Sequence, residues 1–330
     1  MSNTKKVLIT GVAGFVGSNL AGELLKRGYQ VKGIDNLSQG FERNIKEFRN
    51  NRLFSFFKGD VRDIKIFSEA AKDVDYLIHL AAFKIPRYSN ALNTLLINTE
   101  GTKNALEVSR RNGCKFVFSS TSDIYGRNPD IPFHEGSNIL LGQTNVARWA
   151  YAVSKIYDEH LIYAYQDEYK LPFAIVRYFG GYGPNQNPTW WGGPQSVFID
   201  CTLKNVPLPI HGDGKQTRSF TYISDTVEGT IRAMEEKKAS GQVFNIGNTR
   251  EISIKKLAEM IWKMIRPDEK VKIDFIPYKS FSNKYEDVSR RVPDISSAKT
   301  VLNFSPSIEL EEGLPKTIEW QKRYLKKESS

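Results

Sequence analysis

Three glycines, Gly11, Gly14 and Gly17, separate a β-branched apolar run, KKVLIT (5–10), from a helical pattern that runs from Phe15 to Arg27. Strand, glycine turn and helix in that order open a parallel βαβ unit and leave few alternatives for the rest of the chain. The first glycine permits the tight turn, the second lets a pyrophosphate approach the backbone, and the third lets helix and strand pack closely. The helix start, with Phe15 and Val16, offers unpaired N–H groups and a positive dipole end to phosphates.

The alternation continues. Strands are expected at 30–35, 53–61, 74–82, 114–120 and 172–179, with helices at 92–112 and 151–169. Such a series predicts an α/β fold, a Rossmann-type doubly wound parallel sheet covered on both faces. After Gly180 the texture changes to GGYGPNQNPTWWGGPQ, which no periodic element fits. The expected division is a cofactor domain over 1–180 and a smaller mixed substrate lobe over 181–330, some of whose strands could return to the main sheet. A length of 330 residues suits that arrangement.

Two cysteines, Cys114 and Cys201, make no disulfide framework, and the start shows no secretory pattern, so a reducing cytoplasm is expected. No apolar run approaches the roughly 18 residues of a spanning helix, so no membrane is expected. The net charge of +10 is spread along the chain. It reads as solvated lysine faces plus an anionic small ligand, not nucleic acid. No metal is expected.

Asp35 ends the second strand at the distance where a carboxylate accepts both ribose hydroxyls of a dinucleotide and repels a 2′-phosphate. Asn36 follows it where an arginine would favour NADP, so NAD is the expected cofactor. Asp60 and Val61, after the third strand, are placed at the adenine; "GD" also makes a good turn. In YAVSK, Tyr151 and Lys155 lie four apart on one helix face. A lysine ammonium and a positive nicotinamide would favour the phenolate, which can then take a hydroxyl proton while hydride leaves the same carbon. An exposed amphipathic helix is the plain alternative.

TGVAGFVG, Asp35, HLAA, INTEGT, SSTSDIYG and YAVSK, in this order and spacing, resemble the extended short-chain dehydrogenase/reductase family of nucleotide-sugar epimerases, dehydratases and decarboxylases. The likeness continues through GYGPNQNP, IHGDGKQTRSFTYISD, FNIGN and DVSRRVPD. It implies oxidation by NAD at C4 of a nucleoside-diphosphate sugar, a UDP-sugar being favoured. Tyr151 would be base, Lys155 its partner, and Thr121 the third hydroxyl. Leu80, Ala81, Ala82, Lys84 and Asn98 would complete the cofactor site. Ser122, Arg87, Gly180, Arg218 and Arg291 would meet substrate, the last two gripping the diphosphate, with Arg290 an alternative to Arg291. A homodimer through the helices near Asn98 and Tyr151 is also implied.

Three reactions can follow the 4-ketone. Epimerisation asks least, needing only Tyr151, Lys155, Thr121 and room for the ketone to rotate, and stands first; Lys84 also favours it. A 4,6-dehydratase needs a C5 base beside the threonine, and Asp123 offers a carboxylate one methylene shorter than the family's usual glutamate. Asp123 could equally cap a turn. Decarboxylation of a uronate needs cations for the carboxylate, and Arg87 or Arg148 could serve; the stretch 133–155 resembles the decarboxylases. Gly180 stands where the family usually has asparagine, which would enlarge the pocket or leave a hydrogen bond to another group. A dinucleotide-binding sensor without chemistry is the non-enzyme alternative.

Overall fold

Val7, Leu8 and Ile9 are all fully buried, so β1 (Lys6–Thr10) packs apolar side chains on both faces, as an interior parallel strand must. The computed structural model describes residues 4–84, 91–280 and 286–328. After β1 come α1 (Phe15–Lys26), β2 (Gln30–Asp35), β3 (Phe54–Lys58), α2 (Ile64–Ala70), β4 (Tyr76–His79), α3 (Ala91–Asn112), β5 (Lys115–Thr121), α4 (Trp149–Tyr169) and β6 (Phe173–Tyr178). The expected strands and long helices are all present; α3 and α4 start one and two residues earlier, and β3 and β4 each end three residues sooner than expected. Helix α2 has no counterpart among the expected elements; at 7 residues it is too short to show a period, and the Asp63 side chain starts it by accepting from the N–H groups of Lys65 and Ile66.

The remainder supplies β7 (Gly181–Tyr182), α5 (Pro194–Leu203), β8 (Leu208–His211), β9 (Thr217–Ser219), β10 (Thr221–Tyr222), α6 (Ile223–Glu235), β11 (Gln242–Ile246), β12 (Glu251–Ser253), α7 (Ile254–Ile265), β13 (Ile273–Ile276), α8 (Ser296–Leu302) and α9 (Leu310–Glu328). Seven strands form one parallel sheet in the order β11-β6-β5-β4-β1-β2-β3. Strand β11 thus joins β6 at the sheet edge, although it lies beyond the texture change. The half-buried Lys115 amine at the start of β5 ties the end of α6 to the sheet by donating to the carbonyls of Ala233, Met234 and Glu236 at 2.8, 3.0 and 2.9 Å. The order reverses between β1 and β4, and a crevice opens there beyond the strands' C-terminal ends. Three short two-stranded ribbons, β10-β7, β12-β9 and β13-β8, build the smaller lobe over that crevice.

Candidate active site

One cavity of about 540 Å³ runs along the crevice and is lined from both lobes. At one end lies the glycine turn. Gly11 has φ +70°, and a Cβ on Gly17 would stand 2.2 Å from the Gly11 carbonyl oxygen, so the turn tolerates side chains at neither place. Helix α1 begins after Gly14 with no side-chain cap, which leaves its first N–H groups open to an anion.

Asp35 lines the same end, its carboxylate accepting from the backbone N–H of Ala13 (2.9 Å) and Leu37 (2.8 Å). Burial pushes that carboxyl above its ordinary range, against those two bonds. Asn36 donates to Asp60 (2.9 Å), and the Arg62 guanidinium, forked onto Asp60, holds its carboxyl down at about 2. Phe15, Val16, Val61, Leu80, Ala81, Ala82 and Lys84 all line the cavity. Asn98 does not. It is buried on α3, accepts from the Phe83 N–H (2.7 Å) and donates to Ser154 (3.0 Å), so it clamps the chain after β4 onto α4 from behind.

The other end carries the chemistry. Tyr151 stands on the first turn of α4, facing the cavity. Burial, and then the carboxylates of Asp123 and Asp158, push its phenol well above its ordinary value. The expected help from Lys155 is not what dominates here. The Lys155 amine is 1% exposed, donates to the Ser119 carbonyl (2.8 Å) and lies 4.3 Å above the Phe118 ring. Its own charge is disfavoured by burial. Further along α4, the buried Glu159 is held by Arg177 through two bonds of 3.1 and 2.6 Å and accepts from Ser120.

The stretch Thr121–Tyr125 is both a turn and a wall. The Thr121 hydroxyl accepts from the Asp123 N–H (3.2 Å), capping a single 3₁₀ turn, and it also lines the cavity. Asp123 does not stand free: its carboxylate pairs with Arg291 at 2.8 Å and with Arg148 at 3.7 Å. Arg291 also reaches the Ser122 hydroxyl (3.4 Å). Asp287, the first residue of DVSRRVPD, accepts from Arg218 (3.0 Å), Arg148 (3.2 Å) and the Tyr278 hydroxyl (3.0 Å). Burial beside two further guanidiniums holds Arg218 down at about 10, still cationic at neutral pH, so an added anion relieves it. Three arginines thus meet two carboxylates on one wall. Arg290 turns away and pairs with Glu251 outside the cavity (2.7 Å twice). Arg87 lies outside the described residues.

Gly180 is dictated by backbone. Its φ is +48° and a Cβ there would stand 2.1 Å from the Ser219 carbonyl oxygen, so no asparagine side chain fits. Two tryptophans close the cavity: Trp190 stacks on His211 (4.3 Å between centroids) and Trp191 meets Phe83 edge-on (5.5 Å). No signal in the sequence announces either partner.

Residues 8–317 match the family model described as GDP-mannose 4,6 dehydratase. The chain is 37% identical to a UDP-N-acetyl-alpha-D-glucosaminuronate decarboxylase of Bacillus cytotoxicus, over 96% of this chain and 97% of that one. It is 35% identical to UDP-glucuronic acid decarboxylase 1 of Arabidopsis thaliana, over 95% of this chain and 69% of the relative. Among solved structures, the UDP-glucuronic acid 4-epimerase of Bacillus cereus, in complex with UDP-glucuronic acid and NAD, superposes with a TM-score of 0.86 at 32% identity, covering 97% of this chain and 99% of that one.

Proposed function

Because the chain belongs to the GDP-mannose 4,6-dehydratase family, we propose that it is an NAD-dependent enzyme that oxidises C4 of a UDP-uronate and decarboxylates the resulting ketone. The observation that carries this reading is the arginine wall: Arg148 and Arg291 converge on Asp123 beside Thr121 and Tyr151. A neutral hexose has no use for two guanidiniums at its reacting end; a C6 carboxylate does.

The residues fit the dinucleotide. Gly11, Gly14 and Gly17 with the uncapped start of α1 would hold the pyrophosphate, and Asp35 a ribose. Bound NAD supplies the hydride acceptor for C4. Tyr151 accepts the C4 hydroxyl proton, Thr121 keeps that oxygen oriented, and Lys155 holds Tyr151 in place through its anchor on Ser119. The 4-ketone is β to the C6 carboxylate. The C5–C6 electron pair moves into the ketone, carbon dioxide leaves, and a proton returned to C5 restores the ketone for reduction. Arg148 and Arg291 orient the carboxylate for that step, and Arg218 completes the cationic wall for the diphosphate.

The second reading is 4-epimerisation of the same UDP-uronate, supported by the Bacillus cereus neighbour and by a cavity roomy enough for the ketone to turn. Dehydration requires Asp123 to leave its arginines before it can act as a base. Proton NMR of the enzyme with UDP-glucuronate and, separately, with UDP-glucose decides among them. A UDP-pentose with release of carbon dioxide supports the proposal. UDP-galacturonate gives the second reading, and turnover confined to UDP-glucose with a new 6-methyl signal refutes both.

The same reading takes the protein as a homodimer. Leu92 and Leu96 on α3 are 60% and 52% exposed, and Val153 and Tyr157 on α4 are 44% and 52% exposed. This apolar surface on adjacent helices fits a second copy of itself. Among the described residues no helix is long and apolar enough to cross a membrane. A cytoplasmic location is supported by two free cysteines, Cys114 and Cys201.

A further inference from the structure

Tyr151, Lys155 and Asp158 fall at i, i+4 and i+7 on α4, so one face of that helix presents all three in a column. Asp158 is fully buried, and neither of its carboxylate oxygens has a hydrogen bond of normal geometry among the described residues, although the Thr102 hydroxyl on α3 is close enough to favour its charged form. A carboxylate in that position is costly to keep and calls for a reason.

The charges around it narrow the reason. On the same helix, Glu159 is neutralised by Arg177 from β6. From β4, His79 is neutral. The Thr10 hydroxyl accepts from the N–H groups of Leu80 and Ala81 (3.1 Å each), so its own proton goes to His79 Nδ1 (2.8 Å). From β5 come the Ser119 carbonyl and the Phe118 ring, both uncharged and both against Lys155. From α3 the polar group facing Asp158 is the Thr102 hydroxyl, and the Asp123 carboxylate acts on Tyr151 from the turn after β5. Asp158 is therefore the carboxylate near Lys155 whose charge no guanidinium cancels.

We propose that Asp158 is a positioning residue of this active site, a buried counter-charge one helical turn beyond Lys155 that sets the net charge Tyr151 experiences. The proposal rests on the reading of Tyr151 and Lys155 as the acid–base pair. With Asp158 ionised, Lys155 and Asp158 together present almost no net charge to the phenol, which stays hard to ionise. Burial raises the Asp158 carboxyl and lowers the Lys155 amine, so the pair also holds its shared proton loosely. Removing the carboxylate has two effects of one sign. Tyr151 loses a negative neighbour and ionises at lower pH, and Lys155 loses its counter-ion and deprotonates at lower pH.

The test is Asp158→Asn in the enzyme carrying its NAD, with two readouts. In the pH profile of kcat/KM on the substrate that turns over, both limbs move to lower pH: the Lys155 limb by up to about two units, the effect of a unit charge about 6 Å away, and the Tyr151 limb by about one unit, the effect of a charge about 10 Å away two helical turns along, both at an effective dielectric of about 20. Independently of turnover, the absorbance titration of Tyr151 at 295 nm, isolated by subtracting Tyr151→Phe, shifts to lower pH by a similar amount. Should Asp158→Asn fail to fold, Thr102→Val leaves the carboxylate in place but removes the hydroxyl facing it; the Tyr151 titration then moves the same way by a smaller amount. A Tyr151 titration unmoved within about 0.3 units in a folded variant overturns the proposal. Full activity in Tyr151→Phe would instead remove the acid–base reading itself, a result the absorbance titration does not depend on.

Discussion

Arg148 is the guanidinium of the cavity wall that touches both carboxylates, 3.7 Å from Asp123 and 3.2 Å from Asp287, and its side chain is 7% exposed. Replacing it by glutamine separates its structural role from its role toward substrate. Each carboxylate keeps another arginine: Asp123 retains Arg291 at 2.8 Å and Asp287 retains Arg218 at 3.0 Å. No buried charge is stranded, so the fold loses only about 1 kcal/mol, the net worth of an ordinary hydrogen bond. Toward a uronate the loss is larger. A charge-assisted bond to the C6 carboxylate contributes about 1.5–3 kcal/mol, which is about 10- to 150-fold in kcat/KM. The assay is paired. Turnover of UDP-glucuronate followed by chromatography gives kcat/KM, and calorimetry gives the affinity for UDP-glucose, which carries an uncharged hydroxymethyl group in place of the C6 carboxylate. The expected result is the loss on the uronate with UDP-glucose affinity unchanged within about twofold. An equal loss on both ligands would place Arg148 on the diphosphate and refute the assignment of the wall to a carboxylate.

Glu159→Gln removes the charge partner of the buried Arg177 guanidinium (8% exposed each), leaving it only neutral acceptors, the Tyr125 hydroxyl and the Glu135 carbonyl. It is expected to destabilise by about 3–5 kcal/mol. Over 330 residues that lowers the melting temperature by about 5 °C, measured by calorimetry. Burial holds the His79 imidazole down at about 3, so the folded state stays neutral where the unfolded chain takes a proton. Stability is then complete above about pH 6.5 and falls as pH drops toward 3, by up to about 5 kcal/mol, and urea titrations of His79→Asn are expected to show that part of the slope gone. Gly17→Val drives a side chain into the Gly11 carbonyl and is expected to purify without NAD, as judged by absorbance of the cofactor released on denaturation. Leu96→Asp with Tyr157→Asp is expected to sediment as a monomer at micromolar concentration; a dimer would move the interface off α3 and α4.

Much of the scaffold was legible because it is local. Gly11, Gly14 and Gly17 between a strand and a helix, with Asp35 ending the next strand, report a phosphate-binding βαβ unit, and strand and helix periods show in windows of a few residues. The spacing of Tyr151 and Lys155 is likewise a property of one helix. What the sequence could not carry is which distant charges meet. Asp123 pairs with arginines 25 and 168 positions away, so whether it caps a turn, acts as a base or anchors a cationic wall is undecidable along the chain. Asp287 joins Arg148 and Arg218 for the same reason. Asn98 bears a motif position but is turned behind the cavity, and Gly180, which lines the cavity, has its backbone set by the Ser219 carbonyl across the lobe boundary. Composition and periodicity together determined an α/β dinucleotide fold with a tyrosine–lysine pair at a strand end. Only the tertiary structure decided the charge of that site, because electrostatic energy depends on separation in space and on burial, and neither is a function of sequence distance.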